Sequence, residues 1–271
     1  MSVAAILTQA LCSFAFCWRL ERRDGVTIGL TSHDRPLQAA GLRYAPAPGM
    51  TPSAILRGGD PRADLAEVQG ALSSAALSET DLHAGRWDGA RAVLYLTEWT
   101  EPGVLWLELA RGTLGSVGQA DGYYTVALQG AGAVLAQPVA PLTSPTCRAR
   151  LGDGDCGVDL RGVQHVAQLA EIDGESMRFS GLEAGLYPFG SLRWLTGSSA
   201  GLVQMIVDQS GDMLMLAEVP PLPVMPGALA LLTQGCDKRL ATCAGRFFNA
   251  VNFRGEPFLP GMDLLTRYPG A

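Results

Sequence analysis

Charge is scarce in this chain, and positive charge is scarcer. Of 271 residues 17% are charged, the formal net charge is −6, and nineteen of the 20 basic residues are arginine, which leaves Lys238 as the one lysine. Phosphate binding needs a clustered excess of Lys and Arg, so this composition argues against a nucleic-acid-binding surface. Histidine is nearly missing, at 3 residues. His33 and Asp34 in TSHDRPL form the sole pair resembling a metal-hydrolase dipeptide, and His83 and His165 have no ligand-like company. A hydrolytic site needs further ligands at defined intervals, so the His33-Asp34 pair reads as a hydrogen-bonded turn. Phosphate-cradling glycine patterns are absent, as is a G-x-S-x-G nucleophile elbow. The acidic stretch GDGDCGVD lacks the glycine position and the terminal Glu of a calcium loop. No motif demands catalysis.

A long uninterrupted apolar run is also missing. MSVAAILTQALCSFAFCW is uncharged for eighteen residues, but Thr8, Gln9 and Ser13 interrupt it, and the first charges, Arg19 and Glu21, lie on its far side. A secretory signal carries its positive charge before the apolar stretch, and a bilayer-spanning helix needs about 20 apolar residues. Leu11 precedes Cys12, where a lipoprotein signal would want a small residue. The segment is read as an amphipathic helix from Val3 to Leu11 running into a strand, in a protein expected to be made and folded in the cytoplasm. Thiols there stay reduced unless metal-bound, so Cys12 and Cys17 are expected as buried, inert thiols.

With 48% hydrophobic residues the chain can bury one large core or two to three smaller ones. Its pattern is mainly β. ARAVLYLTEW (90–99), GVLWLELARG (103–112) and YYTVALQG (123–130) are short, β-branched or aromatic and bounded by Gly, Asp or Pro, which predicts hairpin strands of one lobe. In SETDLHAG, Ser78 and Asp81 have near-capping-box spacing and Gly85 is placed to end a helical turn. From 163 to 235 the strand-turn rhythm repeats, with Asp173-Gly174 and Ser210-Gly211-Asp212 as two hairpin turns, predicting a second lobe with the character of a small barrel. The proline-rich QPVAPLTSPTC places a boundary near 137–147, dividing the chain into a β-rich domain over 1–142 and a second over 143–271. The tail after Cys243 holds four Phe and no sustained period. It is expected as an ordered loop docked by Phe247, Phe248, Phe253 and Phe258, each contributing roughly 1.5–3 kcal/mol on burial.

Six cysteines are present, and four form two compact pairs, Cys147 with Cys156 and Cys236 with Cys243. Two thiol pairs brought together from distant parts of a chain can enclose zinc or an iron-sulfur cluster. Structural zinc sites usually space the ligands of a pair by two to four residues. Here the intervals are eight and six. Wide, loop-borne spacing suits a cuboidal 4Fe-4S cluster, whose ligands reach separate corners, but spacing leaves zinc and iron-sulfur both open. Arg148, Arg150, Lys238, Arg239 and Arg246 lie close enough in sequence to compensate a negatively charged cluster. On these residues alone, a zinc-stapled or iron-sulfur redox subunit of the cytoplasm stands beside a structural protein.

The runs CWRLERRDGVTIGLTSHDRPL, SETDLHAGRWDGARAVLY, CRARLGDGDCGVDL and GCDKRLATCAGRFFNAVNFRGEPFLPG together resemble the tail hub proteins of alphaproteobacterial gene transfer agents and related siphophages. The resemblance covers nearly the whole chain, and its most specific parts are the last two runs. It implies a non-enzymatic virion protein at the tail tip or baseplate, built from β-barrel-like hub lobes with short helices and a cysteine-clustered C-terminal segment. It further implies a homotrimer that joins the distal tail protein ring to the central fibre protein, with the tape measure protein as a further partner. DNA would pass through its channel without sequence-specific binding. Some tail-tip relatives, including that of lambda-like phages, carry an iron-sulfur cluster. By that resemblance Cys147, Cys156, Cys236 and Cys243 match the cluster-binding positions of a 4Fe-4S cluster, with zinc as the alternative.

Overall fold

A computed structural model describes residues 13–47, 51–52, 65–70, 78–120, 123–130 and 140–259. The expected helix from Val3 to Leu11, and Cys12 after it, lie outside the described residues. The chain divides into two compact units, Met1–Pro138 and Val139–Ala271.

The first unit is organised around β1 (Phe14–Glu21). It pairs antiparallel with β2 (Thr27–Thr31) on one side and with β7 (Arg91–Glu98) on the other. Beyond β2 lie β4 (Leu42–Pro46) and β3 (Leu37–Ala39); beyond β7 come β8 (Trp106–Ala120), β9 (Tyr123–Gln129), β6 (Leu65–Gly70) and β5 (Thr51–Pro52). Among the described residues this is one sheet of nine strands. β1 is an inner strand of the sheet, and both of its faces are apolar. Trp18 and Leu20 pack with Leu30, Trp87 and Leu94 on one side, while Ala15 and Cys17 pack with Leu37 and Tyr44 on the other. Successive side chains of a strand point to opposite faces, so one strand feeds two cores. Cys17 is wholly buried beside Thr31 Oγ1, at 3.7 Å, and burial pushes its thiol up to about 11. This is the inert thiol expected from its setting. The predicted helical turn is present as Glu79–His83, where the Ser78 hydroxyl accepts from the Asp81 N–H at 3.1 Å. Gly85 follows it at φ +70°.

The second unit contains a closed barrel of six antiparallel strands: β10 (Gln164–Asp173), β11 (Ser176–Phe179), β14 (Met213–Leu216), β13 (Val203–Ser210), β12 (Ser191–Trp194) and β15 (Leu229–Thr233), in that order around the ring. Alternation fills its interior. Met177 and Phe179, Leu192 and Trp194, Leu214 and Leu216, and Ala230 and Leu232 are buried, and the residues between them are not. Both predicted hairpins form. Gly174 at φ +61° and Gly211 at φ +59° open their two-residue loops, the position at which a type II′ turn requires glycine. The ring closes where β10 meets β15, with Gln164 opposite Thr233. The two units therefore share β character and differ in sheet architecture.

Candidate metal centre

All four paired cysteines sit at the closing seam of the barrel. Cys147 and Cys156 precede β10, and Cys236 and Cys243 follow β15. The segment from 147 to 156 is a loop built on Asp153. Its carboxylate accepts from the Arg150 N–H and the Cys156 N–H, each at 2.7 Å. Those backbone donors, Arg150 first and then Cys156, hold the Asp153 carboxyl below the ordinary carboxylate range. Asp153 O also accepts from the Gly157 N–H at 2.8 Å, so the turn carrying Cys156 is fixed from both ends of one residue.

The second pair is placed by close packing. Gly235 precedes Cys236, and a Cβ there would stand 1.6 Å from the carbonyl oxygen of Pro188. Only glycine fits that approach. Lys238, at φ +64°, turns the chain into the helix Leu240–Gly245, which carries Cys243. The Lys238 carbonyl accepts the Cys147 N–H at 2.8 Å, and its ammonium donates to the Ala149 carbonyl at 2.5 Å. One lysine thus laces the two cysteine-bearing loops together.

The four side chains line a single cavity, together with the apolar Ala149, Leu151, Val158 and Phe247 and the polar Lys238, Arg239, Asn249 and Asn252. Cys156 and Cys243 are buried, Cys147 and Cys236 are half-buried, and all four are free thiols. Burial pushes the Cys243 thiol up, and the neighbouring Cys147, Cys236 and Cys156 push it the same way. Yet among the described residues no three Cys, His, Asp or Glu side chains converge closely enough to hold one metal ion. Two N–H groups already face the sulfurs: the Arg254 N–H lies 3.4 Å from Cys147 Sγ and Asn249 Nδ2–H lies 3.7 Å from Cys156 Sγ. Such donors stabilise thiolate, the form in which cysteine binds metal. The donor set fits a thiolate-ligated group.

The flanking cations are divided. Lys238 and Arg239 line the cavity, as charge compensation would want. Arg148 instead forms a two-point ion pair with Glu256, at 2.8 and 2.9 Å, and Arg246 donates to the carbonyls of Leu186, Gly235 and Gly185. Those two arginines act as struts. The expectation of an aromatic-docked tail needs correction. Phe247 and Phe253 are half-buried, whereas Phe248 and Phe258 are each 88% exposed. The inward place beside the cysteines belongs to Asn249, which is 9% exposed and carried no signal beyond its position in the GCDK to FLPG run. His33 makes the turn expected of it: its Nδ1 accepts from the Arg35 N–H at 3.0 Å, and its ring lies 4.7 Å from that of Trp99.

The fold and the site define a class of mainly β protein with two units, the second a closed barrel with four cysteines at its seam. The comparisons with known proteins agree. Residues 1–159 match the baseplate hub protein N-terminal attachment domain, and residues 185–263 match the phage conserved hypothetical protein family BR0599. A chain in the solved virion of a native gene transfer agent (GTA) particle is 36% identical, with a TM-score of 0.86, over 99% of this chain and 96% of that one. No curated protein matches the sequence. The chain belongs to the baseplate hub family of phage-like tails. It is a structural tail hub protein, a component of the virion tail.

Proposed function

We propose that the protein serves as a trimeric adapter, joining the distal tail protein ring to the central fibre protein around the DNA exit channel, and that a 4Fe-4S cluster on Cys147, Cys156, Cys236 and Cys243 fastens its barrel. Bound there, the cluster would supply a cross-link between two segments some 80 residues apart. The observation that carries the reading is the gathering of all four thiols, from two distant parts of the chain, around one cavity. The intervals of eight and six residues within the pairs, wider than those usual for structural zinc, favour a group presenting several iron corners. The position favours a fastener, because the thiols flank the start of β10 and the end of β15, the two strands whose pairing closes the barrel. An electron carrier gains nothing from that placement; a tail component through which DNA is delivered gains a barrel that resists opening. The net charge of −6 supports passage of DNA without adhesion, since like charges repel. The tape measure protein is the further partner in this arrangement.

Anaerobic purification followed by elemental analysis and visible absorbance tests the cluster. Iron and acid-labile sulfide in equal amounts, with a brown chromophore, are expected; a colourless protein holding zinc would overturn it. The mass of the complex with the distal tail protein, and cryo-electron microscopy of an assembled tail end, test the adapter. A threefold ring is expected, and a monomeric subunit at that position would refute the trimer.

A further inference from the structure

Asn249 touches both cysteine pairs at once. Its Nδ2–H group donates to the Cys156 carbonyl at 2.6 Å and lies 3.7 Å from Cys156 Sγ. Its own carbonyl accepts the Cys243 S–H at 3.3 Å, and its N–H donates to the Cys243 carbonyl at 3.0 Å. Its side-chain oxygen accepts from Asn252 Nδ2 at 2.7 Å. The amide orientation is fixed by this set, because the Cys156 carbonyl can only accept and the Asn252 amide here donates. The neighbour Phe248, at φ +50° and fully turned to solvent, shows what the chain tolerates to keep Asn249 inward. Neither Asp nor Leu can reproduce this: a carboxylate would face a carbonyl and a sulfur with no proton to give, and Leu would leave the Cys156 carbonyl unpaired.

We propose that Asn249 is the positioning residue of the iron-sulfur site, holding Cys156 through its side chain and Cys243 through the N–H bond to the Cys243 carbonyl, which survives loss of the thiol proton, and so setting both the retention of the cluster and its reduction potential. The inference rests on the 4Fe-4S reading above. An N–H group aimed at a ligand sulfur draws charge from it and favours the reduced cluster, so loss of that donor moves the potential to more negative values. A carboxylate in its place moves it further.

The test uses the full chain, purified anaerobically and reconstituted with ferrous iron and sulfide, as wild type, Asn249→Asp, Asn249→Leu, Asn249→Ser and Phe253→Leu. Potentials are read by redox titration of the visible band, and retention by the half-time of iron loss to a chelator. The Asp and Leu variants are expected to titrate at more negative potentials, Asp the more so, and to lose iron about tenfold faster or more, in the range usual for partners of metal ligands. Phe253→Leu loosens the same segment without removing a donor, and is expected to keep the wild-type potential. Unchanged potential and loss rate in the Asp and Leu variants would overturn the proposal. Should either fail to fold, Asn249→Ser, smaller and neutral, decides by the same two readings. A wild-type protein that takes up zinc and no iron would overturn the cluster itself, an outcome distinct from a cluster indifferent to Asn249.

Discussion

Arg148 and Glu256 clamp the loop entering the second unit to the tail that leaves it, through two parallel hydrogen bonds of 2.8 and 2.9 Å. The Ser144 N–H adds a third bond to the same carboxylate, at 2.8 Å. First the Arg148 guanidinium and then the Ser144 donor lower the Glu256 carboxyl from its ordinary 4.5 to about 2.

A depressed carboxylate stabilises the fold above the pKa it has in the unfolded chain, and that contribution is lost as pH falls through its folded value. For Glu256 the window runs from 4.5 down to about 2. Urea midpoints measured across that window are expected to fall more steeply for the wild type than for Glu256→Gln. Parallel curves would show that the clamp contributes nothing. The pair is partly exposed, so high salt should flatten the difference.

Replacing Cys236 with Ser removes one of the four ligands proposed for the cluster and is expected to abolish iron uptake. Tying two segments that enclose about 80 residues is comparable to closing a covalent loop, so the unfolding free energy of the loaded protein should drop by on the order of 4 kcal/mol. Removing iron from the wild type with a chelator should give a similar loss. Equal stability of loaded and stripped protein would show that the group is not a fastener.

Gly235→Ala is a test of packing alone. The added methyl has no room against the Pro188 carbonyl, and the neighbour is backbone, which cannot swing aside. A cost of about 3 kcal/mol is expected in chemical denaturation, with weaker iron retention because Cys236 is the next residue. A variant as stable as the parent would mean that the 188–190 turn moves freely.

Cys17 should be unreactive in the folded protein, being fully buried with its thiol pushed up to about 11. In metal-free protein, iodoacetamide followed by peptide mass spectrometry is expected to label Cys147 and Cys236, which are half-buried, well before Cys17. Early labelling of Cys17 would indicate opening of the β1 region.

Much of this architecture was legible because its signals are local. The alternation in SLRW and MLML, the glycines after Asp173 and Ser210, and Ser78 before a helical turn each act within a few residues. Other features were hidden because their causes are distant. The strand beginning near Trp106 was expected to end by 112, yet β8 continues to Ala120. Gly112 looks like a turn signal, but a Cβ there would stand 2.3 Å from the Gln129 carbonyl, so its glycine serves close strand approach. Phe248 and Phe258 read as core residues by type, and the tertiary structure gives the inward position to Asn249 instead. An aromatic side chain names no partner, whereas an amide among carbonyls and sulfurs has several to satisfy.

By itself, then, the sequence determined a mainly β chain with a small barrel in its second half and four candidate thiols in two pairs. Strand periodicity and turn chemistry are properties of neighbouring residues, and the cysteine set is a matter of composition. The tertiary structure decided that Gln164 meets Thr233 across 69 residues of chain, closing the ring and bringing both thiol pairs to one seam. It also decided which arginines are struts, which phenylalanines face solvent, and that Asn249 stands between the pairs. Each of these depends on contacts whose enthalpy is realised only after the intervening chain has folded, so no local pattern could carry them.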